Sequence, residues 1–302
     1  MTFLARQERF ARIGSTNDAV RAWLADGTPE VCLAVADEQT AGRGRAGRTW
    51  LAPPGAALLL SAGFRPAWLA PIHAWRLAAV VALAMADAGE AVAGLRDRAI
   101  RLKWPNDLAL VDDAASASGT DGGLLRKLGG VLGEVDGLGT DDSRVVVGIG
   151  VNAGWARADF PPDLAPAMTC LAEASGGRPI DLALLLDGFL SRLEARVEAL
   201  RAGRFPVDDW IARQATTGRL VRLEAHGIAP EEVLAVGVDP GSGALMVADP
   251  LAPGGERAVH AAAVVHVRLA AAAPADESAG GSAPVGSSAR TGASPAASAA
   301  GA

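Results

Sequence analysis

Seven consecutive residues, Gly42-Arg43-Gly44-Arg45-Ala46-Gly47-Arg48, set three guanidinium groups on a backbone loosened by three glycines. Arginine forks grip phosphate or carboxylate oxygens through paired hydrogen bonds. Glycine lets the backbone wrap a ligand closely and turn its N–H groups toward anionic oxygens. The plainer reading of such a run is a solvated basic turn. It is not a Walker loop, because no Lys-Ser/Thr closes it, and no helix start follows it as a dinucleotide fingerprint requires. A second segment, Lys103-Trp104-Pro105-Asn106-Asp107, leaves a strand-like run where Pro105 forces an extended or turning backbone. Asp107 could hold Mg²⁺, which takes one or two carboxylates plus phosphate oxygens, and Asn106 could hydrogen-bond a nucleotide. Alone, the same residues also make an ordinary β-turn. Lys127 enters the glycine-studded run Leu128–Val135, and Val147-Gly148-Ile149-Gly150-Val151-Asn152 repeats the alternation. Glycine weakens a strand unless a ligand or another backbone approaches. Two such strands would form a smooth floor for a flat ligand, or simply pack closely. In Gly14-Ser15-Thr16-Asn17 the hydroxyls and amide either cap a helix or orient a polar heteroatom.

Arginine supplies 26 of the 28 basic residues; the only lysines are Lys103 and Lys127, and the only asparagines are Asn17, Asn106 and Asn152. Coding bias accounts for the arginine excess. All five exceptions fall in the segments above, where Arg or Asp would not do the same chemistry. The net charge of −6 argues against sequence-independent nucleic-acid binding. No apolar run reaches the length of a membrane span, and Met1 to Arg6 does not read as a signal peptide. Cys32 and Cys170 read as reduced core residues, which points to the cytoplasm. His73, His226, His260 and His266 lie outside the motifs and take structural or surface roles.

The positioning elements follow from pattern. Ser15 or Thr16 caps a helix to about Ala25, with Gly27 as its stop. Val31–Asp37, Ala56–Phe64, Ile100–Trp104, Leu108–Val111, Leu128–Val135 and Arg144–Val151 read as strands. Pro71–Ala93 reads as an alanine-rich helix and Asp181–Leu200 as a long amphipathic one. After Phe205-Pro206 come short β-like runs, Leu220–Glu224, Glu232–Val238, Ala244–Ala248 and Val264–Arg268, between Gly/Pro/Asp turns. The expectation is an α+β chain. Residues 1–205 form a helix-packed domain on a central mixed sheet, 206–268 a small all-β barrel, and 269–302 a disordered Ala/Ser/Gly/Pro tail. The stretch from Asp112 to Gly123 reads as a flexible hairpin extension.

Taken in order, Ser-Thr-Asn, Gln-x-x-Gly-Arg-Gly-Arg-x-Gly-Arg-x-Trp, Lys-Trp-Pro-Asn-Asp, Lys-Leu-x-Gly-x-Leu and Gly-x-Gly-x-Asn closely resemble the biotin protein ligase family, over about residues 10 to 160. The resemblance implies an ATP- and Mg²⁺-dependent enzyme. It would join biotin to ATP as biotinyl-5′-adenylate, then pass the biotinyl group to one lysine of a biotin carboxyl carrier protein of an acyl-CoA carboxylase. It implies that Ser15, Thr16, Asn17 and Gln39 recognise biotin, and that Gly42, Arg43, Gly44 and Arg45 form a loop closing over biotin and adenylate. Lys127, Arg45 and Arg43 would be the catalytic cations. Arg48, Trp50, Asn106, Asp107 and Asn152 would serve the nucleotide, with Asp107 at the metal, and Gly130, Leu132 and Gly148 would line the pocket. The physics agrees, since a carboxylate attacking a phosphate brings two anions together and needs preorganised cations. The motifs begin at residue 15, which leaves no room for the helix-turn-helix domain of many relatives and suggests the ligase-only form, without DNA. A homodimer is the assembly to test. The nearest alternative is a lipoate or octanoate ligase or transferase of the same fold, against which the two Arg and Lys-Trp motifs argue. A DNA-binding regulator and a biotin-holding module without turnover are the others.

Overall fold

The computed structural model describes residues 3–112, 123–225, 227–264 and 266–269. Most of the proposed hairpin extension, nearly all of the proposed tail and His226 lie outside them. A seven-stranded sheet is built from β1 (Arg6–Phe10), β2 (Cys32–Ala36), β3 (Ala57–Phe64), β4 (Ile100–Lys103), β5 (Asp107–Asp112), β6 (Leu124–Asp136) and β7 (Arg144–Asn152). Its order is β1-β2-β3-β7-β6-β5-β4. Only β1 and β2 run parallel; the other neighbours are antiparallel, so the sheet is mixed as expected.

Every residue of β2 and β3 is buried, because helices cover both faces. Alternate side chains of a strand point to opposite faces. Cys32 and Ala34 therefore meet Val20, Trp23 and Leu24 of α1 (Thr16–Ala25). Leu33 and Val35 join Leu58 and Leu60 in the main core on α2 (Trp75–Ala93). The core also takes the apolar stripe of α4 (Leu182–Arg201), where Leu185, Phe189, Leu193 and Val197 recur every fourth residue. Asp181 caps that helix by accepting from the N–H groups of Ala183 and Leu184. The short α3 (Leu171–Ala174) follows the site described below.

The texture change at Phe205-Pro206 opens a connecting stretch before the second sheet begins. It comprises α5 (Val207–Ala212) and residues laid along β4, with Leu102 N donating to Arg213 O at 2.8 Å and Ala215 N to Leu102 O at 2.8 Å. Arg213, 1% exposed at its side chain, is held by Glu90 of α2 at 2.7 Å and by Asp87 at 2.7 Å. Burial alone would weaken its proton affinity, but the Glu90 hydrogen bond and the surrounding carboxylates outweigh that and raise its pKa. The second sheet is antiparallel: β8 (Leu220–Ala225), β9 (Ile228–Val238), β10 (Leu245–Ala248), β11 (Glu256–Val259) and β12 (His266–Leu269), in the order β11-β10-β9-β8-β12. Cys32 and Cys170 are buried and unpaired, as expected of core thiols; burial pushes the Cys32 thiol up to about 11.

Candidate active site

A cavity of about 370 Å³ lies over the face of β3, β6 and β7 that α1 abuts. Its volume falls in the range of small-molecule sites. One end is polar and buried. Ser15 occupies the N-cap position of α1, yet its hydroxyl makes no capping bond. Gln39 supplies that function from another segment, its Oε1 accepting from Thr16 N at 2.8 Å and from the Thr16 hydroxyl at 3.0 Å. The Ser61 hydroxyl lies 2.7 Å from Thr16 Oγ1 and donates to Asn17 Oδ1 at 2.5 Å, and Asn17 Nδ2 donates to Glu134 at 2.9 Å. Gly148 is a requirement of this packing, because a Cβ there would stand 2.2 Å from Asn17 Oδ1. Leu132, directly across from Gly148 in the β6–β7 ladder, completes this end.

The Arg/Gly loop folds back on itself. Trp50 N donates to Gly42 O at 2.9 Å and Gly44 N to Arg48 O at 2.7 Å. Gly42 cannot carry a side chain here, since its Cβ would meet Trp50 O at 2.5 Å. Between these pairs lies one 3₁₀ turn, Arg45–Gly47, with Ala46 in the left-handed region at φ 54°. A non-glycine residue there is strained. Arg43 forks onto both oxygens of Asp18 at 2.7 and 2.8 Å and reaches Glu134 at 3.3 Å. The Asp18 hydrogen bond is the main reason the Arg43 pKa is raised, and it holds the Asp18 carboxyl below its ordinary value. Arg45 donates instead to Ala261 O at 2.5 Å and Val264 O at 3.0 Å, beside β12. Burial, then the nearby Arg48, lower its pKa.

The chain's two lysines meet at one carboxylate. Lys127 Nζ stands 2.6 Å from Asp107 Oδ1, and Lys103 Nζ 3.8 Å from Asp107 Oδ2 while donating to Val267 O at 2.8 Å. Lys103 is lowered by burial first, with Asp107 acting the other way. Asp107 and Lys103 line a larger adjoining cavity of about 700 Å³, whereas Lys127 lines the smaller one. Arg45 and Asn106 border both. Asn106 is built into the sheet: its Nδ2 donates to Val131 O and its own carbonyl accepts from Val131 N, both at 2.8 Å.

At the far end, the glycine floor exists and the chain's own indole lies on it. Gly130 and Gly150 are directly paired across β6 and β7. A Cβ on Gly150 would come within 2.6 Å of the Trp50 ring, and one on Gly130 within 3.4 Å of both Trp50 and Lys127 Nζ. Lys127 Nζ lies 5.5 Å from the Trp50 ring centre. Trp50 thus lies on the strand backbone with Lys127 beside it, and lines the cavity. Asn152 donates to Thr169 O at 3.0 Å, and Trp155 stacks on Phe160 at 4.5 Å and 6° to form an apolar hood with Pro161, Leu164 and Met168.

Of the residues predicted from sequence, Ser15, Thr16, Asn17, Gln39, Arg43, Gly44, Arg45, Arg48, Trp50, Asn106, Lys127, Gly130, Leu132, Gly148 and Asn152 line this one cavity. Gly42 sits at the loop's closing pair and Asp107 on the adjoining wall. Sequence reasoning missed Ser61, Glu134, Trp155 and Phe160. Ser61 had a signal, as the one hydroxyl in the otherwise apolar Ala57–Phe64 strand. His73 and His260 lie away from this cavity. Among the described residues no group of three or more His, Cys, Asp or Glu could hold a metal by itself. Asp107 offers a single carboxylate shared with two lysines. That suits Mg²⁺ only as an ion carried largely by phosphate oxygens and water.

With this geometry in view, comparison with known proteins is specific. Residues 9–152 match the Biotin/lipoate A/B protein ligase family. The chain is 34% identical over 220 residues to a biotin--[acetyl-CoA-carboxylase] ligase of Mycobacterium tuberculosis, covering 72% of this chain and 74% of that one. It is 34% identical over 250 residues to the ligase of the same name from Paracoccus denitrificans, covering 80% and 93%. In fold it resembles the Aquifex aeolicus biotin protein ligase solved with biotin and ATP, at a TM-score of 0.67 and 22% identity over 88% of this chain and 99% of that one. The chain belongs to the biotin protein ligase family.

Proposed function

We propose that the cavity holds biotin at its Thr16–Gln39 end and ATP at its Asn152–Trp155 end, and that the enzyme transfers biotin to a lysine of a biotin carboxyl carrier protein through biotinyl-5′-adenylate. The single observation that carries this is Lys127, placed between a buried polar end and an aromatic end on the Gly130 floor. An oxygen of the biotin carboxylate attacks the α-phosphorus, and the bond from that phosphorus to the bridging oxygen breaks, so pyrophosphate leaves. The Lys127 ammonium faces the anions that approach, and a point charge follows negative charge as it shifts between oxygens. Arg45 and Arg48 add donors from the loop that covers the reacting atoms, and excluding water there protects the mixed anhydride. Asp107 would hold Mg²⁺ where phosphates supply the remaining oxygens; bound there, the ion offsets phosphate charge. In the second half-reaction the carrier's lysine amine attacks the acyl carbon and loses a proton, and AMP leaves. No nucleophile from this chain is required.

We further assign the chemistry to residues 1–205 and treat 206–268 as a small C-terminal barrel domain, supported by the second antiparallel sheet. Two buried, unpaired thiols support a cytoplasmic location, and no described helix is long and apolar enough to cross a membrane. The test is incubation with ATP, Mg²⁺, biotin and a carrier domain, read by mass spectrometry. A biotinyl adduct on one lysine is expected. Lipoyl transfer without biotinyl transfer would overturn the reading.

A further inference from the structure

One carboxylate at the Thr16–Gln39 end of the cavity serves two parts of the site at once. Along β6 alternate side chains face opposite sides of the sheet: Val131 joins the main core, whereas Leu132 lines the cavity. Glu134, paired across the ladder with Val146 of the α1 core, faces the Leu132 side and is 19% exposed at its side chain. Its Oε2 accepts from Asn17 Nδ2 at 2.9 Å, and Arg43 Nη2 donates to both of its oxygens at 3.3 Å. Arg21 lies further off, at 3.6 Å. An ionised carboxylate only accepts hydrogen bonds. Asn17, 5% exposed, must therefore turn its amino group to Glu134 and its carbonyl to Ser61, whose single proton is then taken up. The Thr16 hydroxyl proton goes to Gln39. Glu134 thus sets the direction of the whole chain of hydrogen bonds. Asn17 is pressed on the backbone of Gly148, where a Cβ would stand 2.2 Å from its Oδ1.

We infer that Glu134 is a positioning residue: it fixes the Asn17 amide at the polar end of the cavity and, through Arg43, ties the covering loop to that same end. This rests on the adenylation reading above, with biotin at the Thr16–Gln39 end. Glu134 acts through Asn17 and Arg43 and not on the reacting atoms. Arg43 also forks onto Asp18 at 2.7 and 2.8 Å, so the first arginine of the loop rests between a carboxylate of β6 and one of α1. A hydrogen bond to a charged group is stronger than a neutral one, and its loss leaves a buried amide unpaired. The two roles ask different things of the side chain. Asn17 needs an acceptor, whereas Arg43 needs a negative charge.

The test is biotin-dependent ATP–pyrophosphate exchange by the full chain, with each substrate varied, together with AMP formed in the absence of carrier. Glu134→Ala is expected to raise the KM for biotin about 10- to 100-fold and to leave the KM for ATP within about twofold. Glu134→Gln keeps an acceptor for Asn17 and gives up the charge facing Arg43, so its KM for biotin is expected to return to within about threefold of the unmodified value. The double variant Asp18→Asn/Glu134→Gln frees Arg43 of both carboxylates. It is expected to release biotinyl-adenylate, read as AMP, about threefold or more faster than the unmodified chain. An unchanged KM for biotin in Glu134→Ala, a Glu134→Gln variant as impaired as Glu134→Ala, or a double variant that retains its adenylate would overturn this inference alone. No biotin-dependent exchange by the unmodified chain would overturn the adenylation reading as well.

Discussion

Replacing Lys127 with alanine removes the one ammonium between the two ends of the cavity and also uncovers Asp107, 2.6 Å from it. The carboxylate then keeps only Lys103, 3.8 Å away, and the site facing two anionic substrates has lost one positive charge. Unit charges about 4 Å apart interact by about 4 kcal/mol at an effective dielectric near 20. Removing one preorganised oxyanion donor costs roughly 10²–10³ in kcat, or about 2.7–4 kcal/mol. The expected loss in biotin-dependent ATP–pyrophosphate exchange is therefore about 10²–10³-fold. The lysine and the carboxylate remain 27% and 17% exposed at their side chains, so the pair itself contributes at most about 1 kcal/mol to stability. The melting temperature is then expected to stay within about 4 °C. The double variant Lys127→Ala/Asp107→Asn removes that carboxylate, and with it the proposed Mg²⁺ ligand, without restoring a cation. Exchange in the double variant is expected to stay within about tenfold of the single one, since only a fraction of the loss comes from Asp107. Recovery of the double variant to near the unmodified rate would refute the reasoning and reduce Lys127 to a shield for Asp107.

The two pocket glycines are expected to separate the substrates. Gly148→Ala pushes on Asn17 and should raise the KM for biotin about tenfold, whereas Gly150→Ala pushes on Trp50 and should raise the KM for ATP by a similar factor, in steady-state kinetics with each substrate varied. Arg45→Ala cuts the loop from the carbonyls of Ala261 and Val264, and Arg43→Ala cuts it from Asp18 and Glu134. Both should release free biotinyl-adenylate, seen as AMP formed without carrier, and normal retention in both would contradict the lid role. Arg213→Met leaves Glu90 and Asp87 without their buried cation and should destabilise the chain by about 3–5 kcal/mol in urea titrations. Asp18 has a folded pKa below the ordinary 3.8. The Arg43 contact therefore stabilises above that value and is lost as pH falls through the folded pKa. The stability gap between the unmodified chain and Asp18→Asn, at most about 1 kcal/mol for so exposed a pair, should close on acidification over that window.

Strands and helices that bury both faces were legible because the physics acting on them is local. β2, β3 and β7 are apolar runs bounded by turn residues, and α4 shows its stripe and its Asp181 cap in the sequence itself. β1 was not legible. Its residues Arg6–Phe10 are mostly charged or polar, and only pairing with β2 at the sheet edge makes them a strand. The four-residue β11 and the six-residue α5 likewise exist through tertiary contacts, which override weak local preference. The same division holds at the site. Gly-rich strands and an isolated lysine announced the floor and the central cation, since glycine within a strand and lysine in an arginine-rich chain are departures that local structure does not need. What the sequence could not show is how these groups are held. Ser15 or Thr16 was expected to cap the helix, but the Ser15 hydroxyl makes no capping bond, and Gln39, 23 positions beyond Thr16, accepts from both the Thr16 N–H and its hydroxyl. Arg43 and Arg45, adjacent but for one glycine, are sent to opposite anchors, a carboxylate on α1 and carbonyls beside β12. A loop held at both sides through the two arginines can move only by breaking contacts to two separate elements. Those contacts would tie the second sheet to the chemistry proposed for the first.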